Sequence, residues 1–387
     1  MCRMELLAER VKSRAFAIGF DLVGVAAVSP PVRGNAFQTW LNQGYHGDMA
    51  YLPRTAEQRL HPERFLSWAK SIIAVGLCYW SAEQHQNSGT GLRGRIARYA
   101  QNKDYHEVLG KRLDQLWAAV CEEAGQDVQA RAFVDAGPIL DREIASAAGL
   151  AWYGKNTNLI RPGVGSYFVL GELFLDIVLE ADSPLPNRCG DCRLCLDACP
   201  TDAFVGPYIL DARKCISYLT IELKGPIPTD LREPMGSHLF GCDICQDVCP
   251  YNIKPLASTE AAFSPRPDLQ APELIPLLAL TEHDFKVLFR ESPALRAKRR
   301  GFLRNVCVAL GNSGQLEAVP ALANTLRHDR DALVRAHAAW ALGRIAGEGA
   351  TSVLREVQAK EEDRVVLEEI AQAVRACDVH HPQRNAQ

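Results

Sequence analysis

Between positions 189 and 249 lie eight of the chain's 13 cysteines, in a spacing suited to iron–sulfur ligation. The first run is Cys189-Gly-Asp-Cys192-Arg-Leu-Cys195-Leu-Asp-Ala-Cys199-Pro200. In this bacterial ferredoxin pattern three thiolates hold one cubane and the fourth ligates a second. The second run, Cys242-Asp-Ile-Cys245-Gln-Asp-Val-Cys249-Pro250, lacks a middle cysteine, and Cys215 is the available substitute. The expected sets are Cys189, Cys192, Cys195 and Cys249 on one [4Fe–4S] cluster, and Cys199, Cys215, Cys242 and Cys245 on the other. The chemistry is one-electron conduction at low potential. Structural zinc would use two C-x2-C pairs and leave the Cys-Pro cysteines idle. A disulfide framework does not suit an odd cysteine count in a chain of 387 residues with no export leader. Cys2, Cys78, Cys121, Cys307 and Cys377 are scattered and are expected to be packing or surface residues.

The elements that must position these thiolates follow from pattern. Hydrophobic residues are 47% and charged residues 23%, as in a globular protein of two or three domains. The longest apolar stretch, Tyr167 to Leu179, is broken by Glu172 and Asp176 and is too short for a helical membrane span. Cluster thiolates without an export signal suggest the cytoplasm. A net charge of −3 gives no global attraction to nucleic acid, so such binding needs a local basic face.

Residues 4–18 have a helical period, Asp21 to Val28 and Ser71 to Tyr79 read as strands, and Gly44 to Pro53 reads as loop. Residues 82–94 are polar and glycine-rich, a mobile loop by composition. Asp104 has the look of an N-cap for a helix through Cys121. Gln129 to Val134 forms a strand that delivers Asp135 onto an Ala-Gly-Pro turn, followed by a helix over 141–148. The expected fold is a mixed α/β domain over 1–182, a ferredoxin-like two-cluster domain over 183–255, a linker over 256–290, all-α repeats over 291–378 and a tail over 379–387. The repeats rest on matches 32 residues apart: Ala309-Leu310-Gly311 with Ala341-Leu342-Gly343, Leu322 with Leu354, Asp331 with Asp363, and Val334 with Val366. Helical pairs of that period read as HEAT-like.

With these pieces assembled, the chain resembles the epoxyqueuosine reductases. The resemblance is carried by the cysteine runs together with Val134-Asp135-Ala-Gly-Pro138, Asp141-Arg142, Gly154-Lys155-Asn156-Thr157, Gly165-Ser166, Leu170-Gly171-Glu172, Lys103-Asp104-Tyr105-His106 and Arg304-Asn305. It implies a two-electron reduction of an epoxide to an alkene on tRNA, the last step of queuosine synthesis, through cobalamin fed by the clusters. Asp135 is then the proton donor, and burial or a poor hydrogen-bonding shell is the expected means of keeping its carboxyl protonated, the apolar strand before it fitting burial. Cobalamin is expected base-off: Asp104-Tyr-His106 precedes Gly110 one residue too late for a histidine-ligating Asp-x-His-x-x-Gly motif, and opens a helix. The corrin contacts implied are Arg59, Ala97, Asp135, Lys155, Asn156, Thr157, Asn158, Leu159, Leu170, Ser217, Gly241 and Cys242.

For the RNA, Arg290, Arg296, Lys298, Arg299, Arg300 and Arg304 crowd against Glu291 alone. On a helix, positions 296, 300 and 304 would stack into one basic stripe suited to phosphates of an anticodon loop. Lys224 is a further candidate. An electron donor is required, and a monomer is expected. Two other classes compete: a reductive dehalogenase-like corrinoid enzyme acting on a small molecule, and a ferredoxin-like electron carrier. The first has no use for a basic helical tail, and the second leaves Asp135 without a task.

Overall fold

The structure, a computed structural model, describes residues 3–82 and 92–380. Residues 83–91 of the glycine-rich loop, residues 381–387 of the tail and Cys2 lie outside the described residues. The chain divides into two compact units, each assembled from separate stretches. The first takes residues 1–83, 102–213 and 243–264; the second takes 84–101, 214–242 and 265–387. The segment expected as one cluster domain is therefore shared out, with Lys214–Cys242 in the second unit. Strand pairing explains why: Arg95–Ile96 runs parallel to His238–Phe240, which binds residues 84–101 and 214–242 into the same unit.

The first unit is built on α1 (Arg3–Ile18), β1 (Leu22–Ala27), α2 (Ala56–Leu60), β2 (Ser71–Cys78), α3 (Tyr105–Ala124), β3 (Ala130–Phe133), α4 (Asp141–Ala147) and β4 (Phe168–Leu175). The strands form one sheet in the order β1-β2-β4-β3, antiparallel throughout, so the expected mixed domain is an α+β arrangement. All eight residues of β2 are buried, which accounts for its unbroken apolar run. Asp104 caps α3 as expected, its side chain accepting from the His106 amide, and Gly125 ends the helix in the left-handed region. Short helices fall over Tyr51–Arg54 and Gly34–Asn42, the former inside the stretch expected as loop.

The second unit contains α5 (Ile216–Ile221), α6 (Lys298–Ser313), α7 (Val319–His328), α8 (Ala332–Ile345), α9 (Glu348–Gln358) and α10 (Arg364–His380). The 32-residue period has a physical basis here. Leu322 and Leu354 occupy matching buried places on α7 and α9, as do Val334 and Val366 on α8 and α10. Asp331 and Asp363 each accept backbone N–H groups at the start of the following helix. At Gly311 a Cβ would come within 2.9 Å of the Ala341 backbone, and at Gly343 within 2.7 Å of the Ala373 backbone. The repeated glycine lets each helix approach the next.

Cys78, Cys307 and Cys377 are buried and Cys121 is half-buried, as packing residues are. No helix among the described residues is long and apolar enough to cross a membrane.

Candidate active site and cluster loops

Strand β3 is an edge strand, and Val134 is the last buried residue before the chain turns. Asp135 takes a left-handed backbone (φ 50°), and its side chain is exposed. This corrects the expectation of a buried Asp135: the edge position and the reversal carry the carboxylate off the sheet. It is held instead by Tyr105, whose hydroxyl donates to Oδ2 at 2.5 Å. Tyr105 is itself fixed, stacked on the His106 ring with centroids 4.2 Å apart. His106 Nδ1 lies 2.6 Å from Asp104 Oδ1. Burial would raise the Asp104 carboxyl, but hydrogen bonds from the His106 side chain and backbone outweigh it and hold it below the usual range. His106 is thus engaged through Nδ1 at the helix start.

Arg59 anchors the other end of the Asp135 loop. Its guanidinium donates to the carbonyl of Ile139, and Nε donates to Thr55 Oγ1 at 3.0 Å. Burial lowers the Arg59 pKa, opposed by the charges of Asp141, Tyr51 and Asp135. The loop runs directly into α4, where Arg142 donates to the Thr157 carbonyl at 2.5 Å. Residues 154–158 form a tight turn between the paired strands Trp152–Tyr153 and Leu159–Ile160, with Thr157 at φ 63° and the Gly154 amide on Asn158 O.

That turn also grips the cysteine loops. Lys155 Nζ donates to the carbonyls of Gly190 and Cys192 at 2.5 and 2.9 Å. Asn156 Nδ2 donates to Cys245 O at 3.2 Å, and Asn158 Nδ2 lies 3.7 Å from Cys245 Sγ. The side chains of Lys155, Asn156 and Asn158, implied by resemblance as corrin contacts, are therefore spent on the cysteine loops. The turn's backbone is engaged too, Lys155 O accepting from the Tyr208 amide and Thr157 N donating to Gly154 O. Leu170 on β4 is half-buried against the sheet's core.

Within the first unit, the thiols of Cys249, Cys189 and Cys192 face Cys195; burial first, then these neighbours, push it up to about 11. This gathers the four cysteines expected on one cluster. Burial raises the Cys249 thiol, opposed by the Tyr251 and Asn252 amides, and Cys199 Sγ accepts from the Ala203 amide at 3.4 Å. Such N–H···S bonds stabilise ligating thiolate and tune a cluster's potential. The Gly165-Ser166 pair, unassigned by sequence reasoning, docks the second run. Asn252 Oδ1 accepts from the Ser166 amide at 2.8 Å, and a Cβ on Gly165 (φ 90°) would fall 2.3 Å from that oxygen.

In the second unit, Cys215 caps α5, and Ser217 lies half-buried on it. The Gly241 amide, just before Cys242, donates to Thr220 Oγ1 at 2.9 Å, while Ala97 N donates to Phe240 O at 2.8 Å.

The expected basic stripe does not exist as one face. Arg304 is 0% exposed and donates to the carbonyls of Leu219, Leu223 and Gly225. Arg299 is buried on Asp329, and Arg296 lies before α6 in a 3-10 turn, paired with Glu222 at 2.6 Å. The physical reason is that α6 is buried on all sides from Gly301 to Gly311, so no continuous face is left for solvent. Lys224, Lys298 and Arg300 are exposed, the last paired with Asp331 at 3.3 Å.

An α+β unit that ties an exposed carboxylate to ferredoxin-type cysteine loops, in one chain with helical repeats, defines an iron–sulfur oxidoreductase. Comparison with known proteins agrees. Residues 59–136 match the family described as "Epoxyqueuosine reductase QueG, DUF1730", residues 188–252 a "4Fe-4S double cluster binding domain", and residues 293–375 "HEAT repeats". The chain is similar to the epoxyqueuosine reductases of Xanthomonas campestris pv. campestris (39% identical, over 87% of this chain and 95% of that one) and Escherichia coli strain K12 (38%, over 93% and 95%). A solved epoxyqueuosine reductase with an epoxyqueuosine-modified tRNA-Tyr stem loop superposes with a TM-score of 0.88 at 32% identity, covering 97% of this chain and all of that one. The chain belongs to the epoxyqueuosine reductase family.

Proposed function

We propose that this chain reduces epoxyqueuosine in tRNA to queuosine: the epoxide takes two electrons and two protons, becomes an alkene and releases water. The observation that carries this reading is the 154–158 turn. It holds the cysteine loops through Lys155, Asn156 and Asn158, and the Asp135 loop through Arg142 and Thr157. Electron supply and proton supply therefore hang on one small element.

The eight cysteines in their two expected sets would hold the clusters. Cobalamin, when bound, supplies a strongly reducing cobalt centre. In the first unit Arg59, the 155–159 segment and the Leu170 side chain are the residues that would hold the corrin. Asp135 holds the proton for the departing oxygen, and Tyr105 keeps its carboxyl oriented.

Anaerobic reconstitution tests this directly. Protein loaded with iron, sulfide and cobalamin, given a chemical reductant, is expected to convert epoxyqueuosine tRNA, and to lose conversion when either cofactor is withheld. Fully loaded protein that leaves the tRNA unchanged overturns the reading, and clusters without corrinoid uptake favour an electron carrier.

The RNA footprint is reassigned to exposed cations: Lys224, Lys298 and Arg300. Replacing all three by glutamine is expected to weaken tRNA binding and flatten its log–log salt dependence by about 2, at roughly 0.7 per phosphate contact on single strands. Filter binding across a salt series that shows the same slope and affinity would remove these residues from the interface.

A further inference from the structure

We propose that Asp141 and Glu172 share a proton and resupply Asp135 with the second proton of the reduction. This rests on the function proposed above, which consumes two protons per turnover while one carboxyl can deliver only one at a time. Asp135 gives its proton to the departing oxygen and becomes a carboxylate. The pair's proton then passes to Asp135, which delivers it to complete the water molecule. The pair refills from solvent through Asp141, whose residue keeps some exposed surface although its Oδ1 has none. The two electrons come from the low-potential donor that feeds the clusters.

The geometry is specific. Glu172 sits in β4, level with Ala74 on β2 and Phe133 on β3, and is 0% exposed. Neither of its oxygens meets a donor, nor does Asp141 Oδ1 at the start of α4. A carboxylate buried without a donor is costly, and two facing each other cannot both stay ionised. One proton between them converts two orphaned acceptors into a hydrogen bond, the contact that joins Glu172 to Asp141. The charged groups around the pair are Asp135 from the loop, Arg59 from α2 and Arg142 from α4; α3 contributes Tyr105, already donating to Asp135. Burial, then the charge of Asp135, raises Asp141 to about 6; burial, then Asp141 and Asp135, raises Glu172 well above the usual range. Raised values favour the protonated forms, so the supply of protons is full at low pH and fails as pH rises through them.

Two readouts test this, one independent of turnover. Infrared spectra of the wild-type protein at neutral pH are expected to show a buried protonated carboxyl that disappears on alkaline titration and is missing in Glu172→Gln. In the loaded enzyme, the rate is expected to fall as pH rises, and Glu172→Gln to be slower by about tenfold or more with that limb absent. Asp141→Asn should behave alike. The inference is overturned if the wild type lacks the titrating carboxyl, a result that needs no variant to fold. It is equally overturned if Glu172→Gln keeps the wild-type rate and pH profile. Failure of the proposed function shows separately, as a wild-type enzyme inactive on epoxyqueuosine tRNA at every pH.

Discussion

Asp135→Asn is expected to bind both cofactors, melt at the wild-type temperature and lose roughly two to four orders of magnitude in turnover. Asparagine is the informative replacement for two reasons. It tolerates the left-handed backbone at this position (φ 50°) better than alanine, for which such a conformation costs about 1–2 kcal/mol. It also keeps an oxygen to accept the Tyr105 hydroxyl, so the loop stays tethered. What it removes is the acidic proton alone. The cluster absorbance and the corrinoid spectrum should match the wild type, because the side chains that grip the cysteine loops belong to Lys155, Asn156 and Asn158. Single-turnover conversion within tenfold of the wild type would show that the departing oxygen takes its proton from elsewhere. The loop's tethers are the Tyr105 hydroxyl and the Arg59 guanidinium, which hold its two ends.

The parts legible in the sequence were those whose chemistry is local. Spacing announced an iron–sulfur segment, in agreement with the double-cluster match over residues 188–252, because the ligand runs are short and local. The Asp104 cap was readable because it concerns one turn of helix, and the 32-residue period because each repeat solves the same packing problem. The misreadings arose where burial decides. Glu172 served in the sequence as an interruption of an apolar run and as part of the Leu170-Gly171-Glu172 match, with no role of its own. A lone acid in the middle of a strand that pairs on both edges was the available signal of a buried carboxyl that must find a partner or a proton. Asp135 erred the other way: an apolar approach suggested a pocket, whereas strand order places its strand at the sheet edge. For residues 155–158, implied as corrin contacts, no local rule tells whether a turn's side chains face a cofactor or the next loop.

Arg304 was misplaced for a related reason, and it supports the largest expected change in stability. Helical periodicity puts 296, 300 and 304 in register, but cannot say which helix is central. The stretch from Gly301 to Gly311 is apolar around almost its whole circumference, which marks a helix packed on all sides. Inside it, Arg304 satisfies the carbonyl of Leu219 at the end of α5, and those of Leu223 and Gly225 on either side of Lys224. Burial, then the charge of Arg300, lowers its pKa to about 9, so the guanidinium keeps its charge at neutral pH. Arg304→Met preserves bulk and strands those carbonyls and the Asn305 Oδ1 that Arg304 also serves, each worth roughly 1–3 kcal/mol when left unpaired in the interior. Taken at the low end for each acceptor, the expected loss is about 4 kcal/mol, comparable to breaking a buried ion pair. Arg304→Lys should fall between, since a compact ammonium cannot span three carbonyls as a guanidinium fork does. A phosphate-binding arginine would behave in the opposite way, with normal stability and a flatter salt dependence of RNA binding. Denaturant unfolding of the full chain distinguishes the two. A midpoint shift equivalent to less than about 1 kcal/mol for Arg304→Met would mean that water reaches those carbonyls, and the residue would return to the list of candidate RNA contacts.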